Sequence, residues 1–185
     1  ILKMKGLKVI QLSNVSPSFF LNSGKGNVNK IMSDDWFAQV GKQLKKTYPD
    51  IKIECWVQER TYKEEKQIEH TNLFFRAFPS ILSIRPGMEI SLEMINALKK
   101  EIEKAENKKE KLIIHLHEYH SWQTYAILLA INKNKNLKII AQHHGGRSPF
   151  KNLRKYKRFF IFFPGIYLMQ ILERLLFKKI SIRLK

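Results

Sequence analysis

Residues 111–150 read KLIIHLHEYHSWQTYAILLAINKNKNLKIIAQHHGGRSPF. Two short apolar runs rich in β-branched residues, 112–117 and 137–142, each end in polar residues and have the length of buried strands. Between them Trp122, Tyr125, Ala126, Leu129 and Ala130 recur at helical spacing. Ile127, Leu128 and Ile131 extend the apolar surface almost all the way round, which predicts a deeply packed helix. A strand, a crossover helix and a second strand in this order make a right-handed βαβ unit with parallel strands.

The polar residues of this unit gather where the two strands end. His117, Glu118 and His120 follow the first, and His143, His144, Gly145, Gly146 and Arg147 follow the second. Open parallel sheets bind ligands in the crevice beyond the carboxyl ends of their strands. Imidazoles and flexible glycines at two such ends therefore mark the candidate site.

The preceding chain alternates in the same way. Residues 7–12 form a short apolar strand, followed over 13–27 by a loop rich in Ser, Asn, Pro and Gly. Gly24 and Gly26 stand just before a helical stripe of Val28, Met32, Trp36, Val40 and Leu44, flanked by Ile31 and Phe37. Lys42, Lys45 and Lys46 suit the negative end of that helix. Strand, glycine loop and helix start together resemble an anion cradle, although the spacing is not GxGxxG. Residues 51–57 form a second strand with Ile51, Ile53, Cys55 and Val57 on one face. Residues 58–72 read as a polar loop, and 73–78 as a third strand. Ser91 is placed to cap a helix with Leu92, Ile95, Leu98 and Ile102 inward. This alternation predicts an α/β chain: a Rossmann-like open parallel sheet flanked by helices. Residues 1–150 make the domain, and 151–185 add a basic, apolar helical segment to it.

A length of 185 residues suffices for one domain with a real core, and 44% hydrophobic residues exclude a disordered chain. The formal net charge of +18 fits an anionic partner, whether nucleic acid, a membrane surface or phosphate-bearing substrates, and equally a general lysine bias on solvent-facing positions. Cys55 is the single cysteine, so there is no disulfide framework and no CxxC metal site. It reads as a small buried hydrophobe, and a reducing, cytoplasmic setting is expected. In the tail, the basic residues Lys151, Arg154, Lys155, Lys157 and Arg158 precede an aromatic and aliphatic block broken by Pro164 and Gly165. The block is shorter than a membrane span of about 20 residues, and it reads either as an interfacial segment on an anionic membrane or as a helix packed on a further part of the protein.

The glycine loop before the first helix, HLHE at one strand end and QHHGG at the next resemble a retaining GT-B glycosyltransferase of the family 4 type. The resemblance covers nearly the whole chain, but only the N-terminal half of that fold. It implies that this half binds the acceptor, a saccharide or lipid-linked glycan, and that a C-terminal domain carrying an E-x7-E motif binds the nucleotide-sugar donor. That donor domain is absent from residues 1–185, so the chain alone should not catalyse transfer. His117 matches the histidine that faces the reacting sugar. Gly24 and Gly26 match the glycine loop, here split by Lys25, and His144 matches the histidine ending the next strand. Glu118, Gly145, Gly146 and Arg147 lie beside these as substrate-binding candidates. No metal or other cofactor is implied; the nucleotide-sugar is a substrate. The implied setting is cell-envelope or polysaccharide biosynthesis on the cytoplasmic face of a membrane.

Other readings compete. His115, His117, His120, His143 and His144 at neighbouring strand ends have the makings of a zinc site, but Glu118 is the only nearby carboxylate and no HExxH or cysteine ligand accompanies them. A nucleic-acid-binding or anionic-membrane-binding module without catalysis would account for the charge. Nucleic acid is disfavoured because the basic residues are spread, and Phe159, Phe160, Phe162 and Phe163 form a block rather than a stacking platform. A non-catalytic scaffold would tolerate loss of the strand-end histidines.

Overall fold

The computed structural model describes residues 6–21, 27–70, 72–81, 89–117, 121–132, 134–142, 171, 174–180 and 182–183. The elements run β1 (Leu7–Ser13), α1 (Val28–Asp34), α2 (Trp36–Thr47), β2 (Lys52–Glu59), β3 (Lys66–His70), β4 (Leu73–Pro79), α3 (Leu92–Asn107), β5 (Lys111–His117), α4 (Trp122–Ala130), β6 (Leu137–Gln142) and β7 (Ile182–Arg183). The strands form one sheet in the order β3-β4-β2-β1-β5-β6-β7. Only β3 is antiparallel to its neighbour; every other pairing is parallel. Counting the parallel strands alone, the order is the 3-2-1-4-5-6 of a Rossmann-like sheet. The α/β expectation holds.

Each face of the sheet has its own core. On one face Ile10 and Leu12 of β1, Trp56 of β2 and Ile114 and Leu116 of β5 pack with Met94 and Leu98 of α3 and Ile127 and Leu128 of α4. On the other, Val9, Cys55, Val57 and Phe75 meet Met32 of α1 and Phe37 and Ala38 of α2. β1 is buried on both faces, as a continuous apolar run in a central parallel strand should be. Gly41 lets α2 approach closely: a Cβ there would stand 3.1 Å from Cys55 Sγ and 3.4 Å from Leu73 Cδ1. Cys55 is fully buried, and burial pushes its thiol pKa up.

Several expectations change. The helical stripe through Val28, Met32 and Trp36 does not belong to one helix. Asp35, with extended backbone (φ −69°, ψ 155°), ends α1 and caps α2. The break resets the phase, so Phe37, Ala38 and Gly41 face the sheet while Trp36 is 68% exposed. α4 is not packed all round. Gln123, Thr124, Ile127 and Leu128 are its inner residues, whereas Trp122 and Leu129 are 37% and 58% exposed. Ser91 caps α3 as expected, its side chain accepting from Met94 N–H, but Leu92 points outward and Met94 inward. Residues 58–72 hold an edge strand, β3, in place of a loop. Ile68 is its only apolar residue, so alternation gave little signal, and charged neighbours suit an edge. The return into β4 uses Asn72 at φ 61°, a conformation Asn tolerates. Arg76 of β4 holds this edge through a two-pronged bond to Glu65 (2.7 and 2.9 Å), its guanidinium lying 4.4 Å over the Trp56 ring.

Of the segment 151–185, residues 151–170 lie outside the described part. Beyond it, Leu176 enters the α3–α4 core. Lys179 Nζ donates to the carbonyls of Leu128 (2.6 Å) and Ile131 (2.8 Å), closing the last turn of α4. β7 then pairs with β6 at the edge of the sheet. Among the described residues no helix is long and apolar enough to cross a membrane.

Lys8 of β1 binds Glu54 of β2 and Glu101 of α3, the latter at 2.6 Å, tying the strands to the helix. Burial pushes the Glu101 carboxyl up, but the Lys8 hydrogen bond and charge outweigh it and hold the group below its ordinary value. A depressed carboxylate contributes stability above its unfolded pKa and loses it as pH falls through the folded one. Lys8→Met should therefore cost about 2 kcal/mol at neutral pH, between the values of exposed and buried pairs. In denaturant titrations that deficit should shrink below about pH 4, as Glu101 protonates in both proteins. A deficit that stays constant down to acid pH would refute this account.

Candidate functional site

The strand order reverses between β1 and β5. From β1 the chain moves outward through β2 to β4; from β5 it moves the other way through β6 to β7. The helices α1 and α2 that follow β1 cover one face, and α4, which follows β5, packs on the other. Crossovers leaving to opposite sides open a crevice at this point. Ser13 and His117, the last residues of β1 and β5, are directly paired across it.

A cavity of about 530 Å³ lies there. Its floor is Ser13, Asn14, Val15 and His117. Its wall is the α1–α2 break, with Lys30, Ile31, Asp34, Asp35, Trp36 and Phe37. The candidate crevice was read from the ends of β5 and β6; the structure places the described cavity one strand over, at the ends of β1 and β5. The helix start behind the glycine loop is short: α1 has seven residues, and its Asn27 cap already accepts from Asn29 N–H.

His117 is 4% exposed. Its Nε2 lies 2.7 Å from Gln11 Oε1, so with the carboxamide oxygen facing it this ring nitrogen donates. Phe37 of α2 meets the ring edge-on at 6.3 Å, and His115, two residues back on the same face, lies 4.2 Å away between centroids. Among the described residues, the Gln11 hydrogen bond and the Phe37 and His115 ring contacts help to orient the imidazole. Gln11 Nε2 is fully buried with no hydrogen-bond partner among the described residues.

Asn14 joins the two strand ends. Its Nδ2 donates to the His117 carbonyl (3.1 Å) and to Thr124 Oγ1 of α4 (2.7 Å). Ser121 caps α4 through Thr124 N–H and also donates to Thr124 Oγ1. The loop after β1 is held from below by two fully buried carboxylates. Glu89 accepts from Ser16 N–H (2.9 Å), and Glu59 accepts from Ser18 N–H (3.0 Å) and from Thr61. Arg60 adds bonds from its backbone N–H to Ser16 Oγ and from Nε to Ser18 Oγ, and it stacks over Phe19.

Of the candidates read from sequence, His117 lines the cavity. Gly24, Gly26, Glu118, His144, Gly145, Gly146 and Arg147 lie outside the described residues, as do His120 and His143. Among the described residues no three potential metal ligands converge. Gln11, Asn14, Asp34, Asp35 and Trp36 were missed. A lone polar residue inside an apolar strand, as Gln11 is, was the one available signal; Trp36 was misread as core.

Comparison with protein-family models, with curated proteins and with solved structures found no match to this chain.

Two outcomes test this geometry. Asn14→Ala removes the Nδ2 bond to the buried His117 carbonyl and one of the two donors to Thr124 Oγ1 and should destabilise the fold by about 2 kcal/mol, measured by chemical denaturation; a change near zero would mean the bridge is not formed. Gln11→Leu removes the His117 partner but also a buried donor that has none, so stability should change by less than about 1 kcal/mol. Nitrogen-15 NMR should nonetheless show His117 losing its preference for the Nε2–H form, and an unaltered tautomer would show that Gln11 does not orient the ring.

Proposed function

We propose that this chain is the acceptor-side half of a retaining GT-B glycosyltransferase of the family 4 type. The complete enzyme would move a sugar from a nucleotide-sugar to a saccharide or lipid-linked glycan. The single observation carrying this reading is His117, oriented by Gln11 at the floor of a cavity at the sheet's switch point. That is where the resemblance puts the histidine facing the reacting sugar.

In the proposed reaction the bond between the anomeric carbon and the donor's phosphate oxygen breaks, and a bond to an acceptor hydroxyl forms on the same face. The hydroxyl proton passes to the departing phosphate oxygen. The transition state is oxocarbenium-like. His117 would hold a sugar hydroxyl in place rather than attack, while the leaving diphosphate would be stabilised by groups of the donor domain. Under this reading residues 1–185 alone bind nucleotide-sugar weakly or not at all, and no metal or other cofactor takes part.

The basic excess supports a second element of the reading, peripheral attachment to an anionic membrane through residues 151–185. Lysines and arginines near an anionic leaflet contribute about 1 kcal/mol each. Such attachment would bring the cavity near a lipid-linked acceptor. A non-catalytic basic module remains the competing class, with nucleic acid disfavoured by the spread of the charge.

The test is turnover. In the complete protein, His117→Ala should lower kcat by about a hundredfold or more, as loss of one preorganised polar contact does, while the domain stays folded. Near-normal turnover of the variant, or no transfer by the complete protein from any nucleotide-sugar, would overturn the proposal.

A further inference from the structure

We infer that α1 is a movable wall of the cavity. It opens by straightening into a continuation of α2, against a latch that Lys42 and Gln39 form on the Ser33 carbonyl. The inference concerns the fold itself and is independent of what the cavity binds.

The break between the two helices is a single residue. Asp35 has φ −69° and ψ 155°, and the residues on either side of it are helical. Its φ already suits an α-helix, so turning ψ to about −42° would join the two. The sequence accommodates the joined form. Val28, Met32, Trp36, Val40 and Leu44 recur at helical spacing straight through Asp35, and no glycine or proline interrupts them before Gly41. The bent and the straight forms are therefore one backbone rotation apart.

Side chains hold the bent form. In a continuous helix the Ser33 carbonyl would accept from Phe37 N–H, and the Met32 carbonyl from Trp36 N–H. In the bent form the Asp35 carboxylate takes Trp36 N–H at 2.6 Å. The Ser33 carbonyl instead accepts from Lys42 Nζ at 2.8 Å and from Gln39 Nε2 at 3.1 Å, both reaching back from α2. Lys42 is partly exposed and Gln39 exposed, so water takes over their bonds at little cost when α1 leaves.

The two helices differ in how firmly they are seated. α2 packs on the sheet through Phe37, Ala38 and Gly41, and a Cβ on Gly41 would stand 3.1 Å from Cys55 Sγ. α1 has seven residues, of which Met32 and Ser33 are buried, and a helix so short is not stable by itself. With α2 held in phase, a helix turning about 100° per residue carries Met32 to the side away from Phe37, Ala38 and Gly41. Straightening thus withdraws Met32 from the core, which makes the straight form the minor one. It also lifts Ile31 and Asp34 away from Ser13, Asn14 and His117 on the cavity floor. A ligand that touches α1 and the floor together shifts the population toward the bent, closed form. An element with two discrete arrangements acts as a switch, which a loop of many conformations does not.

Relaxation-dispersion NMR of the 185-residue chain tests this, because it detects minor states exchanging on the μs–ms scale. Residues 28–36 should exchange together with one minor state, while residues 38–47 of α2 show no exchange. In that state the Cα carbon-13 shift at position 35 should take a helical value in place of its extended one. Lys42→Ala should raise the minor population about fivefold, equivalent to one hydrogen bond of about 1 kcal/mol. Lys42→Arg keeps a donor and should restore the original population. Lys46→Ala, at an exposed position of the same helix, should leave it unchanged. Asp35→Ala, which removes the cap and favours helix, should raise it further. A minor population indifferent to Lys42→Ala would overturn the inference, as would flat dispersion across residues 28–36 in both Lys42→Ala and Asp35→Ala. A minor state with a random-coil shift at position 35 would overturn it too, since α1 would then be unravelling and not straightening.

Discussion

The carboxamide of Asn14 spans the gap on which the rest of the site depends. A doubly wound sheet must open where its crossovers leave to opposite faces, and the opening exposes the last backbone groups of two strands. Here one side chain, donating to the His117 carbonyl and to Thr124, satisfies part of that exposed set and ties β1, β5 and α4 together. The crevice stays open to a ligand on the side of α1 and α2, while its base is closed. Buried polar groups are costly unless paired, so this bridge also specifies the relative register of the two strand ends.

The same economy of polar groups shapes the loop after β1. Glu59 and Glu89 are entirely buried, and each is engaged by backbone N–H groups of the loop. Carboxylates that accept backbone bonds hold a segment in one conformation more firmly than apolar contact does, because their geometry is directional. The loop therefore leaves β1 at a fixed angle and delivers the chain toward α1. Asp35 then divides what would have been one amphipathic helix into two. The first helix helps to wall the cavity, and the second packs on the sheet through Phe37, Ala38 and the close approach at Gly41.

Charge on this protein has two scales. The +18 balance belongs to the whole surface and sets long-range attraction to anions. Among the described lining residues the cavity wall carries Asp34 and Asp35 beside Lys30.

The α/β class, the parallel β5-α4-β6 unit, the cap at Ser91 and the buried character of Cys55 were all legible from residue order. These are local: periodicity, propensity and capping act over a few residues. The place of His117 at a strand end was also legible, because it closes an apolar, β-branched run. Tertiary structure alone settled the rest. Strand order determined that the cavity falls between β1 and β5, whose partners are about a hundred residues apart in the chain. Side-chain polarity cannot reveal that Gln11 faces His117 or that Asn14 crosses to Thr124, since both pairings arise only when distant strands align. The outward turn of Trp36 depended on a single extended residue, Asp35, and periodicity is blind to a one-residue change of phase.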